Sequence, residues 1–275
     1  MRLLGIGLQG IRKFCAFMEL PRPVFQSTYD SIISHILSAT EVVSMSSMSD
    51  AAQEEKRISA ENGEQNGITV SGDGSWRKRG FASLYGLVSL IGWHTGKIID
   101  VIVKSKYCKA CEHWTKKEHT EEYKEWAENH ASECQANHEG SAGKMEVDGV
   151  LEMFQRSQEL HDVKYASYIG DGDTKTFKGI TDAQPYKTLT VIKKECVDHV
   201  QNNNESFNST VWAMAPKSMN SGKKIIDIAA NIATCVFNDG FISILSTYDV
   251  MGLTIGSKSF QFCQEVDQNR IKKAE

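Results

Sequence analysis

Hydrophobic positions change period several times along this chain. Residues 1–20 are a mixed apolar segment that stops at Leu20-Pro21-Arg22-Pro23, where the prolines break any helix. From Ser27 to Ala60 the spacing is helical, with Ile32, Ile33, Ile36 and Leu37 on one side, and it fades into the polar, helix-favouring VSMSSMSDAAQEEKRISAEN. A loop follows at NGEQNG (Asn62 to Gly67). The pattern then switches to β-rich runs: GITVSGDGSW, FASLYGLVSLIGW and KIIDVIVKSK, with a turn from Gly92 to Lys97 between the last two. Residues 107–140 are polar and rich in Cys, His and Glu. Ser141 to Asp162 reads as an amphipathic helix with Met145, Val150, Met153 and Phe154 on its apolar face and Ser141 as N-cap. VKYASYIGDGD is a buried strand, YKTLTVIKKECVDHV holds another, and from Glu205 onward the chain reads helical, through KKIIDIAANIATCVF and again near Phe241 to Val250.

Three meandering strands, an insert, a crossover helix and further strands are the order of a ribonuclease-H-like α/β core. The expected organisation is an N-terminal helical segment (1–66) and a mixed-sheet core (67–275). Within the core lie an insert (107–140) and a set of C-terminal helices (205–275).

Composition narrows the class but does not decide it. The chain has 275 residues, 40% hydrophobic and 24% charged, as expected of a soluble globular protein. A net charge of −4 neither advertises nor excludes nucleic acid, because local patches set the field over a groove. No apolar run is long enough to span a bilayer, so no membrane partner is expected. The opening MRLLGIGLQGIRKF has a short apolar run broken by Gly5, Gly7 and Gln9, unlike a secretory signal. Seven cysteines, unevenly spaced and including a CxxC, point to metal binding in a reducing compartment. No GxxxxGK[ST] is present, and DGDTKTFKG lacks the later ligands of a calcium loop.

Two apolar runs end in Gly-Asp-Gly, at Asp73 and at Asp171. A carboxylate at the end of a central strand is well placed for a divalent ion such as Mg²⁺, which takes a few carboxylate oxygens plus water and phosphate oxygens. Each motif alone also reads as an ordinary turn. A third carboxylate is available at Glu205, where Asn204, Glu205, Asn208 and Trp212 fall at helical spacing. The competing reading is a helix start, with Asn as cap and Glu favouring the dipole.

In the insert, Cys108-x-x-Cys111 and Cys134-x-x-x-His138 have the two-pair spacing of a structural Zn²⁺ site, with His130 as the substitute for a fourth ligand. Trp114 and Trp126 have few apolar neighbours, so metal would contribute folding energy to this segment. Arg77-Lys78-Arg79, directly after the Asp73 strand, is the basic cluster best placed to meet phosphates.

At these residues the sequence resembles a known family. ITVSGDGSWRKRGFASLYGLVSLIG, KSKYCKAC, GSAGKMEVDGVLEMFQRS, YIGDGDTKTFKGI, KKECVDHVQ and NNNESFNSTVW are similar to the Mutator-like transposase domain of animal transposable elements. The resemblance implies a DDE transposase that uses Mg²⁺ or Mn²⁺ to cleave DNA at transposon ends and join it to target DNA. By motif, Asp73, Asp171 and Glu205 match the catalytic triad, with Asp173 an alternative to a named ligand, and Cys196 and His199 match a C-x-x-H motif of unclear role. The implied partners are DNA and a second copy of the chain, with no small-molecule cofactor. The implied location is nuclear, or cytoplasmic before import, and not secreted. One departure stands out. Relatives carry a long, mostly helical insertion before the NESFN helix, whereas here Val200 is followed directly by Gln201. The chain therefore reads as a truncated or degenerate transposase, and the alternative is a non-catalytic, zinc-stabilised DNA- or protein-binding module of transposon origin.

Overall fold

A computed structural model describes residues 6–78, 82–170, 174–195, 198–219 and 221–274. Five strands form one mixed sheet: β1 (Ile68–Trp76), β2 (Tyr85–Gly92), β3 (Ile98–Ser105), β4 (Tyr165–Gly170) and β5 (Ile192–Lys194). Their order is β3-β2-β1-β4-β5, with β1, β2 and β3 antiparallel and β4 and β5 running parallel to β1. β1 is therefore central. The meander arises where successive β-rich runs pair with one another, and the parallel pair arises where a long helix (Ala142–His161) carries the chain from the β3 edge across the sheet to the far side of β1.

Ten helices accompany the sheet among the described residues: α1 (Leu8–Phe17), α2 (Gln26–Glu61), α3 (Lys109–Trp114), α4 (Glu121–His130), α5 (Ala142–His161), α6 (Thr174–Ala183), α7 (Asp198–Met214), α8 (Lys223–Asp239), α9 (Ser243–Val250) and α10 (Ser257–Ala274). They cover both faces, which is why every residue of β2 is buried. Leu87 and Ile91 face Phe207 and Val211 of α7 and the alanine-rich side of α8, while Val88 and Leu90 face Val150, Met153 and Phe154 of α5. The predicted helix at Ser141 is realised with its cap: Ser141 accepts from the Lys144 N–H, and Met145, Val150, Met153 and Phe154 are fully buried.

α2 departs from its sequence reading. Of the expected apolar side, Ile33 is buried but Ile32 is 42% exposed. The buried positions are mostly small or polar, including Ala39, Thr40, Ser44, Ser47, Ala51 and Ala52. Small side chains let α2 lie close against α8, where Asn231 Nδ2 donates to the Thr40 hydroxyl at 3.4 Å and Asn238 Nδ2 to the Ser47 hydroxyl at 3.2 Å. Glu55, also fully buried, accepts from the His94 and Thr95 N–H groups and the Thr95 hydroxyl at 2.8–2.9 Å. A buried charge in a helix is thus used to tie off the β2–β3 turn.

Two further boundaries differ. The first Gly-Asp-Gly is neither a turn nor a strand end: β1 continues through it to Trp76, with Asp73 paired to Ser89. The helix carrying Glu205 begins at Asp198, so Asn204 and Glu205 sit well inside it and neither caps it. The junction of Val200 with Gln201 lies within α7. Among the described residues, no helix is long and apolar enough to cross a membrane.

Candidate functional site

The central strand and α7 are joined by a ladder of side-chain hydrogen bonds. Successive outward residues of β1 on one face are Ser71, Asp73 and Ser75, and residues one helical turn apart on α7 are Asn204, Asn208 and Trp212. The pairs meet in order. The Asn204 amide donates to Ser71 Oγ at 3.3 Å and accepts from Ser89 Oγ at 3.2 Å. Asn208 Nδ2 donates to Asp73 Oδ2 at 2.7 Å. Trp212 Nε1 donates to Ser75 Oγ at 2.8 Å. A strand advances about 6.6 Å per two residues and a helix about 6 Å per four, so the two periods nearly match over three rungs.

This ladder fixes how Asp73 meets Glu205. Both line one open cleft of about 580 Å³, together with Ser75, Asn208, Ser209, Trp212, Ala213 and Lys217. Glu205 is exposed at its rim, and the Lys217 ammonium lies 5.0 Å from the centre of the Trp212 ring. The glycines flanking Asp73 serve packing within the chain. A Cβ at Gly72 would lie 2.7 Å from the Tyr168 ring and hydroxyl, and one at Gly74 would run into the Trp76 ring. β4 ends at Gly170, paired with Gly72. Asp171, the next residue in sequence, lies outside the described residues, as do Asp173, Cys196, Arg79 and the side chain of His199.

Arg77 is turned away from open solvent: its guanidinium donates to the carbonyls of Met219 and Ser221 and lies over the Tyr85 ring at 5.7 Å. Lys78 is exposed.

A second constellation lies in the insert. Cys108, Cys111, His130 and Cys134 present ligand atoms that all lie within 4.8 Å of one another. Cys108 Sγ is 3.3 Å from His130 Nε2, and Cys111 Sγ is 3.5 Å from Cys134 Sγ. Ligands about 2.0–2.3 Å from a tetrahedral ion stand roughly 3.3–3.8 Å apart, as these two pairs do, and three thiols with one imidazole are a donor set that could hold zinc. Cys108 precedes α3, Cys111 is in its first turn, His130 ends α4 and Cys134 follows a short 3₁₀ turn. Burial opposes ionisation of Cys108, but N–H groups of Cys111, Gln135 and Ala110 and the His130 ring outweigh it and bring the thiol down to about 6. Burial and the neighbouring Cys134 and Cys108 sulfurs push Cys111 up to about 12.

His138, the fourth ligand expected from spacing, is elsewhere. Its fully buried ring sets Nδ1 3.2 Å from Asp148 Oδ2 and Nε2 3.1 Å from the Ser141 carbonyl. His130-x-x-x-Cys134 has the same spacing as Cys134-x-x-x-His138, so spacing could not choose between the histidines. The signal that could was aromatic. His130 lies one helical turn after Trp126 and stacks on it at 4.5 Å, and Trp126 stacks on Trp114 at 5.0 Å.

Comparison with known proteins agrees with this picture at the level of family. No curated protein and no solved structure matches the chain. The family model of the Mutator-like transposases matches residues 1–238, from the N-terminal helices through the sheet and α7 and nearly to the end of α8. The chain therefore belongs to the Mutator-like transposase family.

Proposed function

We propose that the chain is the catalytic domain of a DDE transposase on a ribonuclease-H-like fold, with Asp73, Asp171 and Glu205 as metal ligands acting on DNA phosphodiesters. The strand order β3-β2-β1-β4-β5, with three antiparallel strands followed by two parallel ones, supports the fold. The observation that carries the site is the cleft shared by Asp73 on the central strand and Glu205 on α7. Mg²⁺ or Mn²⁺ bound there would activate water on one side of a phosphodiester and stabilise the leaving oxygen on the other. Asp73 and Glu205 hold the ion, α7 sets their separation, and the open cleft admits a nucleic-acid backbone. Lys78 is the exposed cation best placed in sequence for phosphate contact. Cys108, Cys111, His130 and Cys134 would hold a structural Zn²⁺, since four protein ligands leave no position open for water.

The test is cleavage of supercoiled plasmid and transposon-end duplexes with Mg²⁺ or Mn²⁺. Nicking that requires the ion and is lost in Asp73→Asn and Glu205→Gln supports the reading; nicking that survives both substitutions refutes the assigned ligands. A second reading, a non-catalytic DNA-binding module of transposon origin, is favoured by the unbroken course of α7 through the Val200–Gln201 junction. The family resemblance implies a DNA-gripping insertion at that point. Salt-sensitive DNA binding without ion-dependent cleavage is its expected signature.

A further inference from the structure

Asn208 has a feature that packing does not explain. The residue is only 7% exposed, at the wall of the Asp73–Glu205 cleft. An ionised carboxylate can only accept, so the amide group facing Asp73 Oδ2 at 2.7 Å must be Nδ2, which orients the side chain. The other end, Oδ1, is buried and has no hydrogen-bond partner among the described residues. A buried acceptor left unmade costs about 1–3 kcal/mol, and the neighbouring rungs show no such defect at their donors: Asn204 uses both ends of its amide, and Trp212 uses its only donor.

We infer that Asn208 is a positioning residue of the metal site. Its Nδ2 holds one oxygen of Asp73 and so aims the carboxylate, while its Oδ1 is a preformed acceptor for a hydrogen on a water of the bound divalent ion. This rests on the metal-site reading above. Partners of this kind fix a ligating carboxylate's orientation, and their loss typically lowers metal affinity by about 10–100-fold.

The experiment measures Mn²⁺ binding by the EPR signal of free ion in the full chain without DNA, for wild type, Asp73→Ala, Asn208→Ala and Asn204→Ala. Asn204→Ala is the structural control, because Asn204 is as buried and holds the same helix to the same strand without touching Asp73. The expected result is Asp73-dependent binding that weakens at least about 10-fold in Asn208→Ala and by clearly less in Asn204→Ala, which loosens the ladder without touching Asp73; an equal loss in the two variants overturns the role of Asn208. Equal binding by wild type and Asn208→Ala overturns the role of Asn208 and leaves the metal reading intact. Absence of Asp73-dependent binding in wild type overturns both. Should Asn208→Ala fail to fold, the Asn208 side-chain amide of the wild-type chain is followed by NMR during Mg²⁺ titration. A shift at Asn208 larger than at Asn204 supports the role, and no shift at saturating Mg²⁺ refutes it.

Discussion

Replacing His130 with alanine is expected to release zinc and unfold residues 107–136 while the sheet stays folded. The insert has almost no apolar support: neither α3 nor α4 buries a residue, and of the four ligand side chains only Cys108 is buried. Its helices are six and ten residues long, below the roughly 12–15 residues at which an isolated helix is even marginal in water. The stacked Trp114–Trp126–His130 series adds about 0.5–1.5 kcal/mol per ring pair. Ligation of a structural zinc, apparent value about 10–16 kcal/mol, would dominate the local balance. The segment's exit is independently anchored. The Asn137 and His138 N–H groups donate to the Ser105 carbonyl, and the Asn137 side chain bonds Ser105 and Val103. Unfolding should therefore stop near residue 136. The assay is zinc content after chelator competition, with tryptophan fluorescence reporting the stack. His130→Ala should carry little metal and lose the stacked-indole signal, whereas His138→Ala should keep its metal and instead lower the stability of the domain. Zinc retained by His130→Ala and lost by His138→Ala would refute the assignment.

Three further outcomes follow from packing and charge. Asp100 is fully buried and paired with the Arg156 guanidinium through Nε at 3.0 Å, so Arg156→Met leaves a buried carboxylate uncompensated and should cost about 3–5 kcal/mol in urea unfolding; a loss under about 1 kcal/mol would contradict this. Burial holds the His161 ring below its ordinary value, and both ring nitrogens are buried without hydrogen-bond partners among the described residues. The unfolded chain therefore binds the extra proton first, and stability present above about pH 6.5 is lost as pH falls through that value. His161→Phe should flatten that acid slope in urea titrations between about pH 7 and 5, and an unchanged slope would refute it. Gly72→Ala pushes a methyl group into the Tyr168 ring beside Asp73 and should destabilise by about 1–3 kcal/mol, read from the denaturation midpoint.

Much of the architecture was legible before any coordinates. The β-rich run of β2, the capped helix at Ser141 and the apolar runs ending in glycine are all local signals, and the structure places an element at each. What escaped depends on pairing over long sequence separations. Gly-Asp-Gly at 72–74 resembles a turn because glycine favours turns. In the folded chain Gly72 makes room for Tyr168 and Leu90, which only the sheet brings together. α2 looked like a solvated helix in its second half because Ser, Ala and Glu carry no hydrophobic signal, yet small side chains are what close packing on α8 requires. The ladder of Asn204, Asn208 and Trp212 was visible as one helix face. Its partners Ser71, Asp73 and Ser75 lie over 130 residues away. His130 and His138 were indistinguishable by spacing and were separated by the Trp126 stack on one side and Asp148 on the other.

The central claim is that Asp73 and Glu205 belong to one divalent-ion site. Anomalous diffraction from crystals soaked in Mn²⁺ tests it most directly. The account predicts a peak in the cleft between β1 and α7, about 2.1 Å from an oxygen of each carboxylate and absent in Asp73→Ala. A chain saturated with Mn²⁺ that shows no peak there, or one that persists without Asp73, would contradict it.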